Sequence, residues 1–131
     1  MTSILLCGSE EQRQEWLPKL ARLEKIGAFG LTEPDTGSDA GNLKTRAVRD
    51  GDDWVINGAK MFITNGTWAD VCLVFARTGG PGPKGVSAFL VPTATPGFRL
   101  ESGRRHYSRW QSFQARACGC SPTLPRSWMN F

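Results

Sequence analysis

The stretch FGLTEPDTGSDAGNLKT, residues 29–45, decides the fold. It joins a short apolar run to a long turn of small polar residues, and such a loop can wrap a charged cofactor. Thr32 and Ser38 supply hydroxyls within the loop, and Pro34 fixes a bend. Gly37 lacks a Cβ and therefore lets the backbone approach a ligand closely. The stretch predicts a strand that ends in a ligand-binding loop.

A second strand end follows in MFITNGTWAD, residues 61–70, where Thr64 closes an apolar run. Two hydroxyl-bearing strand ends can meet in one site, so we expect Thr32 and Thr64 to lie near each other. Taken alone, Thr32, Ser38 and Thr64 could equally cap turns or face solvent. Glu33 and Asp35 could form a catalytic carboxylate pair, but beside a proline in a turn they are expected to bond local amides.

Composition limits the class of protein. A chain of 131 residues with 40% hydrophobic content holds one small domain. The net charge of +4 comes partly from arginines near the end of the chain, without the helical stripe typical of nucleic-acid binding. The cysteines and the single histidine lack metal-ligand spacing. No apolar run approaches the roughly 18 residues of a membrane span, so we expect a cytoplasmic or mitochondrial-matrix protein.

The N-terminal part has a helical pattern. Ser9 and Gln12 predict a capping box, and apolar residues recur at helical spacing after it, with Pro18 expected to kink or divide the helix. From Ile26 the hydrophobic period changes towards two, which predicts strands. These are Ala28 to Thr32, Leu43 to Arg49, Trp54 to Asn57, Lys60 to Thr64, Val71 to Arg77, Val86 to Val91 and Phe98 to Glu101.

Turn residues separate these strands. Asp50-Gly51-Asp52 and Asn57-Gly58 are hairpin signals, because these residue types tolerate positive backbone angles. The glycine-rich loop at 78–85 has the spacing of neither a dinucleotide fingerprint nor a P-loop, which favours a plain hairpin connection. After Phe98 the apolar periodicity disappears while Arg, Ser, Cys, Trp and Pro become frequent. We expect an irregular tail there, and the abrupt change suggests a frameshifted or misassembled end.

The two motifs together resemble the middle domain of the FAD-dependent acyl-CoA dehydrogenases. FGLTEPDTGSDAGNLKT is followed by DDWVINGAKMFITNGTWAD, and the likeness extends upstream to ILLCGSEEQRQEWLPKLA and downstream to VCLVFARTGGPGPKGVSAFLVPTATPGF. It implies a mainly β fold, a small β-barrel or sandwich preceded by a short α-helical segment. Residues 1–25 would be the remnant of a helical N-terminal domain, 26–101 an incomplete middle domain, and 102–131 the irregular tail.

The resemblance also implies the site residues. The Thr32 hydroxyl and nearby amides would bond the polar edge of the flavin, and Ser38 would also contact the acyl-CoA substrate. Phe62, Ile63 and Thr64 would cover and bond the ring near its N5 atom. The residues expected to line FAD are Phe29, Gly30, Leu31, Thr32, Glu33, Pro34, Asp35, Thr36, Gly37, Ser38, Phe62, Ile63 and Thr64.

The implied activity is α,β-dehydrogenation of an acyl-CoA thioester. The family's catalytic glutamate belongs to a C-terminal helical domain that is not recognisable in this sequence, so we assign no catalytic residue and no metal ligand. Electron-transfer flavoprotein would be a partner of the assembled enzyme, and homo-oligomers are expected. Two alternatives stay open: a catalytically inactive remnant that binds other chains through exposed faces, and a related flavoprotein of the same superfamily.

Overall fold

The computed structural model describes residues 1–99 in full, together with the backbone of two later strands at 107–108 and 113–118. Two helices come first, α1 (Thr2–Cys7) and α2 (Glu10–Ala21). The strands are β1 (Gly27–Gly30), β2 (Arg46–Asp50), β3 (Asp53–Gly58), β4 (Ile63–Thr64), β5 (Val71–Arg77), β6 (Val86–Pro92), β7 (Tyr107–Ser108) and β8 (Phe113–Cys118). The predicted fold class, mainly β with a short helical segment ahead of it, is confirmed.

Helix α2 starts as the sequence predicts. The Ser9 hydroxyl accepts the Gln12 amide at 3.2 Å, and the Gln12 side chain accepts the Ser9 amide at 3.1 Å, which completes the capping box. Of the two expectations for Pro18, a kink or a division, the division is wrong, because α2 runs unbroken to Ala21. Burial of Leu20 in the core stabilises the last turn and offsets the hydrogen bond that Pro18 cannot make.

Six of the described strands form one sheet with the order β1-β5-β2-β3-β8, and β6 pairs with β5 off this path. β1 and β5 are parallel, whereas β5 and β6 form an antiparallel hairpin around the glycine-rich loop. β4 pairs with β7 in a second, two-stranded sheet. Within the described residues, no helix is both long enough and apolar enough to cross a bilayer.

β5 lies at the centre of the larger sheet, where it pairs with β1, β2 and β6, and its residues belong to two clusters. Cys72, Val74 and Ala76 belong to the main core, which also takes in Ile4 of α1. Phe75 faces a second cluster. Alternate residues of β5 are therefore buried on opposite faces, which explains why its sequence is apolar almost throughout.

Several details differ from the sequence prediction. Asp50-Gly51-Asp52 does form the β2–β3 hairpin, with Gly51 at φ 63°. Asn57-Gly58 does not form a hairpin, because β3 continues to Gly58 and pairs with β2 and β8. Gly58 is needed for space, since a Cβ there would lie 2.7 Å from the Thr45 Cα.

The predicted strand limits also shift. The strand expected at Leu43 to Arg49 begins only at Arg46, and the strand expected at Lys60 to Thr64 is limited to Ile63–Thr64. Phe98 and Arg99 are not in a strand. The irregular tail needs correction at β7 and β8, which pair with β4 and β3. The rest of 102–131, with the suggested frameshift, lies outside the described residues.

Candidate functional site

The two sequence motifs meet where β1 ends and β4 begins. The Met61 amide donates to the Thr32 carbonyl at 2.8 Å, which ties the second motif directly to the first. Phe29 of β1 and Thr64 of β4 line the same cleft, whose volume is about 450 Å³. The structure therefore brings together the two strand ends that the sequence suggested would share a site.

A tight turn follows β1. The Glu33 amide donates to the Thr36 carbonyl at 2.9 Å, and the Thr36 amide donates back to the Glu33 carbonyl at 3.3 Å. Pro34, with its fixed φ, and Asp35 lie exposed at the tip of this turn. The turn is anchored at its base, because Glu33 and Thr36 are 5% and 8% exposed.

The Glu33 carboxylate forms a buried hub. Its Oε2 accepts the Lys44 amide at 2.5 Å, and its Oε1 accepts both the Thr45 amide at 2.9 Å and the Lys60 ammonium at 2.8 Å. The amides are eleven and twelve residues away, so they are not the local ones expected from the sequence. Asp35 instead points outward to the exposed Lys44 side chain at 2.8 Å. The two carboxylates thus occupy different environments.

Lys60 lies beside this hub, although neither motif predicts a role for it. Its side chain is 0% exposed, and its ammonium donates to the Leu31 carbonyl at 3.1 Å as well as to Glu33. Burial lowers the pKa of Lys60, against the attraction of Glu33. Burial also acts to raise the pKa of Glu33, but hydrogen bonds from Lys60 and the neighbouring amides outweigh it and hold that pKa below its ordinary value. Two features of the sequence could have indicated this pair. Lys60 directly precedes an apolar strand, and the earlier motif contains Glu33 with no obvious partner nearby in sequence.

The expected site residues divide into a supporting set and an accessible set. Supporting residues are buried or half-buried: Gly30, Leu31, Thr32, Glu33, Thr36 and Ile63. Accessible residues are Phe29, Pro34, Asp35, Gly37, Ser38, Phe62 and Thr64. The second set lies exposed at the surface, while the first set is partly or fully covered.

The accessible residues include aromatic rings and hydroxyls. Phe29 is 48% exposed and Phe62 63% exposed. Among residues 1–99, no side chain or backbone group hydrogen-bonds the hydroxyls of Thr32, Ser38 or Thr64. Such a surface suits a flat aromatic ligand with a polar edge, because rings supply stacking area and free hydroxyls supply donors and acceptors.

Phe62 also has an unusual backbone conformation, with φ at 57°. A bulky residue seldom adopts positive φ, and doing so costs on the order of 1–3 kcal/mol. The neighbouring Met61 amide is hydrogen-bonded to Thr32, and Ile63 is 1% exposed in the core. These two anchors flank Phe62 and keep its ring at the surface.

Comparison with known proteins gives consistent results. The family profile described as "Acyl-CoA dehydrogenase, middle domain" matches residues 28–115. The mitochondrial isobutyryl-CoA dehydrogenase of Dictyostelium discoideum is 53% identical over 112 residues, which are 84% of this chain and 26% of that protein. The chain spans about a quarter of the length of the curated relatives that it matches.

Solved structures are also similar to this chain. A glutaryl-CoA dehydrogenase from Mycobacterium smegmatis in complex with FADH2 has a TM-score of 0.78 and 46% identity, covering 89% of this chain and 31% of that one. A structure described as an electron transferring flavoprotein of Acidaminococcus fermentans has a TM-score of 0.82 and 38% identity, covering 89% and 33%.

Proposed function

Because this chain belongs to the acyl-CoA dehydrogenase family, we propose that it forms the flavin-facing part of an FAD-dependent acyl-CoA dehydrogenase. The observation that carries this proposal is the junction of the two motifs. The hydrogen bond from Met61 to Thr32 joins them, while the hydroxyls of Ser38 and Thr64 and the ring of Phe62 remain at the surface. A surface of this chemistry fits an isoalloxazine ring, which has two stacking faces and a polar edge.

The proposed roles follow from exposure. Phe29 and Phe62 offer ring faces, and the hydroxyls of Thr32 and Thr64 offer hydrogen bonds, each stabilising by about 0.5–1.5 kcal/mol. The remaining residues of 29–38 and Ile63 shape the backbone against the cofactor. Bound FAD would supply the hydride acceptor for dehydrogenation of the substrate. Ser38, exposed at the end of the loop, would also contact the acyl-CoA.

The chain by itself is proposed to bind rather than to catalyse, because it has no assigned general base. A missing general base lowers a rate by roughly a hundredfold to ten-thousandfold. Assembled with the rest of such an enzyme, it would act on an acyl-CoA, transfer electrons to electron-transfer flavoprotein and form homo-oligomers. A cytoplasmic or mitochondrial-matrix location is proposed with it, supported by mitochondrial relatives.

A second candidate is a non-catalytic binding role for the same chain. It is supported by apolar side chains that stay exposed on and beside the helices, namely Leu5 at 54%, Leu6 at 60% and Leu23 at 82%. Exposed apolar surface of this kind favours association with another chain. In this case FAD would not be required for the function.

FAD titration of the purified chain tests the first proposal. We expect saturable quenching of flavin fluorescence and a melting temperature that rises with FAD concentration. Thr64→Val should weaken binding, whereas Thr2→Val, on α1 and outside both motifs, should not. Absence of saturable binding by the wild-type chain would refute the proposal. Anaerobic addition of acyl-CoA then separates binding from catalysis, and we expect no bleaching of the bound flavin.

A further inference from the structure

The ion pair between Lys60 and Glu33 differs from the other ion pairs formed among the described residues. Its side chains are 0% and 4% exposed, whereas those of the other four pairs are 32–70% exposed. The stem of Lys60 runs beneath β1, since a Cβ on Gly30 would lie 3.6 Å from the Lys60 Cγ. The pair is therefore enclosed under the surface that carries both motifs.

The pair connects three segments that are distant in sequence. Lys60 bonds the Leu31 carbonyl and the Glu33 carboxylate, and Glu33 in turn bonds the amides of Lys44 and Thr45. Met61, which follows Lys60, also donates its amide to the carbonyl of Thr32, which follows Leu31. Residues 31–33, 44–45 and 60–61 are thus held by one continuous set of polar contacts.

Stability alone does not require such a pair. Removing two charges from water is costly, and well-packed apolar residues in place of a buried ion pair are often as stable or more stable. Apolar side chains, however, could not satisfy the Leu31 carbonyl and the two backbone amides that bond this pair. What the ion pair provides is a fixed position of residues 31–33 relative to residues 60–61.

We propose that Glu33 and Lys60 are positioning residues for cofactor binding, which hold the loop at 31–38 in a fixed position relative to residues 60–64. This inference rests on the proposed FAD site. Neither side chain touches the cofactor in this arrangement. They act through the backbone at Thr32 and Phe62. Without their contacts, residues 31–38 and residues 60–64 could move apart.

The test uses Lys60→Met, Glu33→Gln and the double variant in the 131-residue chain. Methionine approximates the length of the lysine stem, and the double variant removes both charges, so that no unpaired buried charge remains to unfold the protein. The control is Arg13→Met. It removes the cation of an exposed ion pair on α2, where Arg13 bonds Glu10 at 3.1 Å, and it lies outside both motifs and outside the cleft.

Two measurements separate positioning from stability. In the double variant we expect the melting temperature to return towards that of wild type. The Kd for FAD should stay about tenfold to a hundredfold higher than that of wild type, which is the loss seen when residues that orient metal ligands are mutated. Hydrogen exchange at the Met61 amide should become faster in this variant, with exchange in β5 unchanged. Arg13→Met should alter neither FAD affinity nor Met61 exchange.

If FAD affinity in the double variant equals that of Arg13→Met, the pair serves stability only and the inference is wrong. If the wild-type chain itself binds no FAD, the proposed function fails instead, and Met61 exchange decides about positioning. Faster exchange in the double variant would still support a positioning role, and unchanged exchange would overturn it.

Discussion

Replacing Lys60 by methionine should destabilise the protein far more than replacing a lysine of an exposed pair. The substitution leaves the Glu33 carboxylate 5% exposed and without its counter-ion. Removing one partner of a buried ion pair typically costs about 3–5 kcal/mol. At about 4 °C per kcal/mol for a chain of this size, the melting temperature should fall by about 12–20 °C. Lys44→Met disrupts a pair whose side chains are 70% and 66% exposed, and should cost less than about 1 kcal/mol.

Urea unfolding followed by circular dichroism would measure these free energies of unfolding. A double-mutant cycle with Glu33→Gln isolates the coupling between Lys60 and Glu33. The amide that Glu33→Gln introduces keeps one acceptor oxygen for the backbone amides of Lys44 and Thr45, so the double variant should be more stable than Lys60→Met alone. A loss of under about 1 kcal/mol for Lys60→Met would refute the reasoning, because it would mean that the carboxylate finds water or another donor.

The pKa of Glu33 is lower in the folded state than in the unfolded state. Its contribution to stability is therefore present above the unfolded pKa of about 4.3 and is lost as pH falls through the folded pKa. The free energy of unfolding of Glu33→Gln should accordingly fall less steeply than that of wild type below about pH 4.3. Gly58→Ala should destabilise by about 1–3 kcal/mol in urea unfolding, because the new Cβ meets Thr45, and a wild-type midpoint would contradict the close approach. Burial raises the pKa of Cys72 to about 12, so peptide mapping after brief iodoacetamide treatment at about pH 8 should find Cys7 modified and Cys72 intact until the protein is denatured.

Much of the fold could be predicted because local signals agreed with the final packing. The capping box at Ser9, the strand at Val71–Arg77 and the hairpin at Gly51 depend on residues near one another in sequence. The predicted hairpin at Asn57-Gly58 is wrong because glycine can be required for either of two reasons. A turn uses the backbone freedom of glycine, whereas here glycine provides room for Thr45.

The errors in the tail have a different cause. β8 pairs with β3 over six residues, and its partner strand is more than fifty residues earlier in sequence. Periodicity within FQARAC is weak, so the tendency of this segment to form a strand depends on the edge that β3 offers. A non-local cause of this kind leaves little trace in the segment itself.

The motifs of the candidate site predict surface residues but not the contacts beneath them. The motifs name hydroxyls and rings, yet Phe62 is held at a φ of 57°, a conformation that is unfavourable for a phenylalanine by itself. Such a conformation persists only where neighbouring contacts fix it, and here the fixed neighbours are Met61, bonded to Thr32, and Ile63, buried in the core. The residue just before them is Lys60, whose ammonium is held by Glu33. The strained backbone of Phe62 and the buried ion pair are therefore parts of one arrangement, in which polar contacts below the surface stabilise a conformation that the local sequence alone would not adopt.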